Sequence, residues 1–151
     1  MAVAYSAIAN GGKVLEPHVA WKIETPDGKL VKDIKPQVVG HLPASPQQLD
    51  YLRTALAGVT VSGTAQPAFI GFPLSQIPVA GKTGTAQIQG KQDTSWFCAM
   101  APANDPKYVV AVVIEEGGHG ATSAAPVVRR ILEGLFGLSA SGTLNTGSRQ
   151  D

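Results

Sequence analysis

The chain has 151 residues, enough to bury one core, so one domain or part of one is the starting expectation. Apolar residues make up 44% and charged residues 15%, which excludes a disordered chain, and a net charge of +1 gives no electrostatic case for nucleic acid as a partner. Cys98 is the only cysteine, so an internal disulfide is excluded; no apolar run reaches the ~20 residues of a membrane span and no signal peptide is visible.

Residues 1–9 are mostly alanine with Met1, Val3, Tyr5 and Ile8, which predicts a closely packed helix stopped by Asn10-Gly11-Gly12. No capping residue precedes Met1, so this helix reads as already in progress and the chain as a fragment. Residues 14–17 read as a connector. Val19, Trp21 and Ile23 alternate with Ala20, Lys22 and Glu24 in a strand pattern, and residues 30–34 return as a second arm after the turn Thr25-Pro26-Asp27-Gly28. This hairpin is expected to be exposed and without chemistry.

Ser45-Pro46-Gln47-Gln48 has the signature of a capping box with proline in the first helical position. Leu49, Leu52 and Leu56 follow at helical spacing, and Gly58 is expected to end the helix. Residues 59–72, rich in Gly, Ser, Thr and Pro, read as a loop. Within it, Ser62-Gly63-Thr64-Ala65 offers hydroxyls but no neighbouring base, so it reads as a hydroxyl-rich turn rather than a nucleophile site.

Residues 79–87, Val-Ala-Gly-Lys-Thr-Gly-Thr-Ala-Gln, form a strand with polar residues where packing alone would place Val or Ile. Lys82 supplies a positive charge, Thr83 and Thr85 supply hydroxyl donors, and the strand margin supplies backbone N–H groups. Gly84 lets a ligand or another backbone come close. Together they suit a carboxylate or a developing oxyanion. A phosphate-binding loop is excluded by its own spacing rule, since Gln76 occupies the required glycine position and Pro78 interrupts the loop. Taken alone, the triplet also fits a threonine-rich strand with an exposed lysine.

Residues 90–93 make a tight return into a second strand at 95–100, and a Pro-Asn-Asp turn leads to a third at 108–115, completing an antiparallel meander. Val109 to Ile114 is nearly continuous in apolar residues, as in a strand covered on both faces. Cys98 sits in an apolar run and reads as a small buried hydrophobe. After the connector Gly117-Gly118-His119-Gly120, Thr122 or Ser123 is expected to cap a last helix with Pro126 in its first turn. Its apolar stripe is Val127, Val128, Ile131, Leu132 and Leu135, which leaves Arg129, Arg130 and Glu133 to face water. Residues 139–151 are polar and Gly/Ser-rich and are expected to be a disordered tail, leaving 1–138 as the folded portion. The three histidines lack ligand spacing, so no metal site is expected, and Glu115-Glu116 reads as solvated rather than as a catalytic carboxylate pair.

With the flanks in view, the chain resembles the C-terminal part of the transpeptidase domain of class B penicillin-binding proteins, of the elongation-type, penicillin-binding protein 2-like group. MAVAYSAIANGG is similar to a helix past the middle of that domain. VAGKTGTAQ resembles its third active-site motif, a role in which Lys-Thr-Gly is also found in serine β-lactamases. SWFCAMAPANDPKYVVAVVIEEGG resembles the next two strands, and AAPVVRRILE the closing helix; together these cover nearly all of residues 1–138. The resemblance implies an α+β fold, an antiparallel sheet with helices packed on its faces.

The family's first motif, Ser-x-x-Lys, carries the serine nucleophile and its second is Ser-x-Asn; neither occurs in these 151 residues. The resemblance therefore implies the last portion of a catalytic domain, inactive by itself and contributing one wall of a peptidoglycan DD-transpeptidase site. On this pattern Lys82 adds positive charge beside the second motif's serine. Thr83 and Thr85 hold the carboxylate of a stem peptide or a β-lactam, and the Thr85 backbone N–H is an oxyanion-hole donor. Gly84 and Trp96 complete the substrate-binding set, Trp96 either lining the cleft or belonging to the core. No cofactor is implied. The parent is expected to be anchored in the bacterial cytoplasmic membrane with this domain outside. A sheet without its partner helices would expose an apolar face, so the N-terminal half of the same protein or a second copy of this chain is expected to cover it. The competing readings are a serine β-lactamase relative and a non-catalytic β-lactam-sensing or scaffold domain.

Overall fold

The computed structural model of the protein describes residues 1–142. In chain order the elements are helix α1 (Ala2–Ala9), strands β1 (Lys13–Leu15), β2 (Lys22–Glu24), β3 (Leu30–Asp33) and β4 (Val38–His41), and helix α2 (Pro46–Val61). A 3-10 turn (Gln66–Phe69), strands β5 (Ala80–Ala86), β6 (Thr94–Ala101) and β7 (Tyr108–Ile114), and helix α3 (Ala124–Leu135) follow.

The organising unit is the antiparallel sheet β5-β6-β7. Side chains alternate between faces along a strand, and both faces of β6 are buried. Phe97, Ala99 and Ala101 lie on one face with Val110, against Ala124, Ala125, Val128 and Leu132 of α3 and Phe69 and Phe72 of the preceding connection. Cys98 and Met100 lie on the other face with Ala80, against Tyr5 of α1. Helix α2 reaches both clusters, Val59 entering the first and Leu56 and Ala57 the second. It thus straddles the β5 side of the sheet. The architecture is α+β, as the resemblance implied.

The capping box forms: Gln48 N donates to Ser45 Oγ at 3.2 Å, and Ser45 N donates to Gln48 Oε1 at 2.8 Å. The exposed hairpin is β2-β3, closed at the Thr25 turn by Gly28 at φ +83°.

Several local expectations are corrected. Residues 14–17 are not wholly a connector: Val14 and Leu15 belong to β1, which pairs with β4 from Lys13↔His41 to Leu15↔Val38. Gly58 does not end α2, which continues to Val61; a Cβ at Gly58 would meet open space, so the position faces outward and costs only backbone entropy. The expected loop at 59–72 therefore contains the last turn of α2 and the 3-10 turn.

Strand β7 is an outer strand and only one of its faces is well covered. Val110, Val112 and Ile114 pack toward α3, while Ala111 and Val113 on the other face are exposed, Val113 by 48%. Neither Thr122 nor Ser123 caps α3: their hydroxyls donate to His119 O and Gly117 O. The cap comes from β6, where Ser95 Oγ accepts from Ala124 N at 3.1 Å and donates to His119 O.

The face of α3 that meets the sheet is set by Ala124, Ala125, Val128 and Leu132, leaving Ile131 and Leu135 exposed. That rotation buries Arg129 (5% exposed) and Glu133 (2%), which were expected to face water; only Arg130 stays half-exposed. Arg129 Nε donates to Glu133 Oε1 at 2.9 Å, and its Nη1 donates to the carbonyls of Ala68 and Ile70. Ser141 closes the network with its N–H and hydroxyl on the Glu133 carboxylate, so the described chain is engaged past position 139; residues 143–151 of the expected tail lie outside the described residues.

Candidate functional site on the β5 margin

Strand β5 leaves the core as it runs. Ala80 and Gly81 are buried, Thr83 and Gly84 half-buried, and Lys82, Thr85 and Ala86 exposed. Gly81 permits this path, since a Cβ there would lie 2.8 Å from Cys98 O and 2.9 Å from Phe97 Cζ. Strand β5 is an outer strand of its sheet, and among the described residues no strand pairs with its far margin.

The register sets Lys82 opposite Cys98, Gly84 opposite Trp96 and Thr85 opposite Ser95. Lys82, Gly84, Trp96 and Cys98 therefore share the α1 face of the sheet. A recess of about 290 Å³ opens there, lined by Lys82, Thr83, Gly84, Thr85, Trp96 and Cys98, with Tyr5 of α1 and the preceding Met1 on its other side. All five sequence-predicted site residues, Lys82, Thr83, Gly84, Thr85 and Trp96, thus come together at one opening.

The polar groups converge on Thr83. Lys82 Nζ curls back to donate to Thr83 O at 2.9 Å and to Thr83 Oγ1 at 3.4 Å. Thr83 Oγ1 is also 2.8 Å from Thr64 Oγ1. Thr85 Oγ1 accepts a long bond, 3.5 Å, from Gly120 N. Gly120 packs across the Gly84–Trp96 pair so closely that a Cβ would sit 2.5 Å from Gly84 O and against Trp96 O. The connector before α3 therefore braces β5 from behind. Burial pushes the Tyr5 phenol up, helped by the nearby Cys98, and burial likewise pushes the Cys98 thiol up, so the thiol is no ready nucleophile.

Thr64, Gly120 and Tyr5 were not singled out from sequence as part of this site. Thr64 lies in what read as an inert turn, and no local pattern pairs it with a residue 19 positions later. Chemically, the β5 edge offers an ammonium on the face that carries the apolar wall and two hydroxyls, those of Thr83 and Thr85, on the opposite face. That arrangement suits an anionic group on an extended, partly apolar ligand. Among the described residues no cluster of side chains is arranged to hold a metal ion.

Residues 1–133 match the family model described as the penicillin binding protein transpeptidase domain. The chain is similar to the peptidoglycan D,D-transpeptidase MrdA of Haemophilus influenzae, with 31% identity, covering 88% of this chain and 22% of that protein. It is similar in structure to the D,D-transpeptidase domain of a peptidoglycan glycosyltransferase from Eggerthella lenta, with a TM-score of 0.76 and 33% identity, over 90% of this chain and 31% of that one. It is also similar to penicillin-binding protein A from M. tuberculosis as its imipenem acyl-enzyme complex, with a TM-score of 0.76 and 30% identity, over 89% of this chain and 29% of that one. The chain thus spans less than a third of the length of these relatives.

Proposed function

The chain belongs to the penicillin-binding protein transpeptidase domain family, and from that premise we propose that it forms the Lys-Thr-Gly wall of a serine acyl-transfer site that cross-links peptidoglycan stem peptides and is acylated by β-lactams. The observation that carries this reading is the β5 edge, which pairs with no other strand than β6 among the described residues, with Lys82, Thr83, Thr85 and Trp96 all lining one recess.

In this role Thr83 and Thr85 hold the ligand carboxylate, and Lys82 keeps that end of the cleft positive. The Thr85 N–H faces the developing oxyanion; loss of such a donor costs about 2.7–4 kcal/mol in a transition state. The serine and its general base come from a Ser-x-x-Lys segment that these 151 residues do not contain. The remainder of the domain, or a second copy of this chain, covers the open side of the sheet at Val113 and Met1, which is 65% exposed. The parent works at the outer face of the cytoplasmic membrane; among the described residues no helix is long and apolar enough to cross it.

Labelling with a fluorescent penicillin tests the proposal. The complete polypeptide that carries this chain is expected to form a lasting adduct, and the 151 residues alone none. An adduct on the isolated chain, or none on the complete polypeptide, would overturn it. An adduct that turns over rapidly would favour a β-lactamase instead.

A further inference from the structure

Thr64 stands in the turn that follows α2, three residues past Val61, yet it is fixed firmly. Gly63 N donates to Gly58 O, Ala65 N donates to Val59 O, and Ala65 is fully buried. A Cβ on Gly63 would lie 2.7 Å from Val59 Cα, so the turn lies flat on the end of the helix. A second tie runs in parallel: Thr60 Oγ1, buried, donates to Val79 O at 2.8 Å. Thr60 and Thr64 are four residues apart, as are Val79 and Thr83. Two hydroxyl ties of equal spacing thus clamp the end of α2 along β5.

The outer tie bears on chemistry. A hydroxyl carries one proton and two acceptor sites, and an ammonium only donates. Lys82 Nζ already donates to Thr83 Oγ1. If the Thr64 hydroxyl also donates, both acceptor sites of Thr83 are filled and its own proton is left for an external acceptor. Two donors on one oxygen also polarise that O–H, strengthening the bond it makes. If Thr83 donated to Thr64 instead, it would have no proton to offer an anion.

We propose that Thr64 is a positioning residue that donates to Thr83 Oγ1 and so directs the Thr83 hydroxyl proton toward the ligand carboxylate. This rests on the reading of the β5 margin as a carboxylate site, and the test separates the two. Second-order acylation of the complete polypeptide is measured with penicillin G and with its methyl ester, which lacks the carboxylate. Thr64→Val is expected to slow acylation by the acid roughly three- to tenfold, the worth of one hydrogen bond. The ester rate should stay within about twofold on the same scale, and Thr64→Ser should restore the acid rate. If Thr83→Ala slows the acid while Thr64→Val does not, the positioning role is wrong and the carboxylate site stands. If Thr83→Ala has no effect, the carboxylate site itself is wrong. Equal losses with acid and ester would mean that Thr64 only holds the turn together. Should valine lower the Tm markedly, Thr64→Ala with the same pair of ligands decides by the same criterion.

Discussion

Replacing Arg129 with methionine separates a buried ion pair from a solvated one. The guanidinium is 5% exposed and binds the Glu133 carboxylate and the carbonyls of Ala68 and Ile70. Methionine fills similar space but leaves a 2%-exposed carboxylate and two carbonyls without that partner. Removing one member of a buried pair costs about 3–5 kcal/mol. The low end applies here because Ser141 still gives the carboxylate two hydrogen bonds. A loss of about 3 kcal/mol with an m value of about 2 kcal/mol/M moves the urea midpoint down by about 1.5 M. The double variant Arg129→Met/Glu133→Leu should lose less than the sum of the singles, because it removes the stranded charge as well. Urea titration of the three variants and the parent measures this. A shift below about 0.25 M for Arg129→Met, the size for a solvent-facing residue, would refute the buried clasp.

The same pair gives a pH dependence. Burial alone would raise the Glu133 carboxyl, but the two Ser141 hydrogen bonds and the Arg129 guanidinium outweigh it and hold it below the usual range. The folded value is depressed, so this stability is fully present above the unfolded value of about 4.3 and is lost as pH falls through the folded one. Urea midpoints taken below about pH 4 should fall more steeply in the parent than in Glu133→Gln. At the brace behind β5, Gly120→Ala should cost about 1–3 kcal/mol, since the added methyl must displace Gly84 or Trp96 backbone. It should also slow β-lactam labelling of the complete polypeptide. An unchanged urea midpoint together with unchanged labelling would show that the connector does not support the strand.

The legible parts of this fold were those whose signals are local. The capping box at Ser45 lies within four residues, and the β5-β6-β7 meander is marked by short returns at 90–93 and 101–107. The short strands β1 and β4 escaped notice because each has three or four residues and its partner lies more than 20 positions away. Gly58 misled because glycine in an exposed helix position costs only about 1 kcal/mol against alanine, less than α2 regains by packing. Arg129 and Glu133 misled for the opposite reason. Charge argues for solvent, but their partners Ala68, Ile70 and Ser141 are brought in by tertiary structure. The residues on β5 could be named from sequence because they are consecutive. Thr64 and Gly120, which fix how those residues stand, contact β5 only after folding.

The capping of α3 by Ser95 ties the closing helix to the middle strand of the sheet. Starting a helix is the unfavourable step, and here the group that relieves it arrives from a strand 29 positions upstream. The closing helix gains this cap only when the middle strand is seated beside its first turn. This part of the stabilisation of α3 is thus a long-range contact, which must offset the closure entropy of the intervening chain.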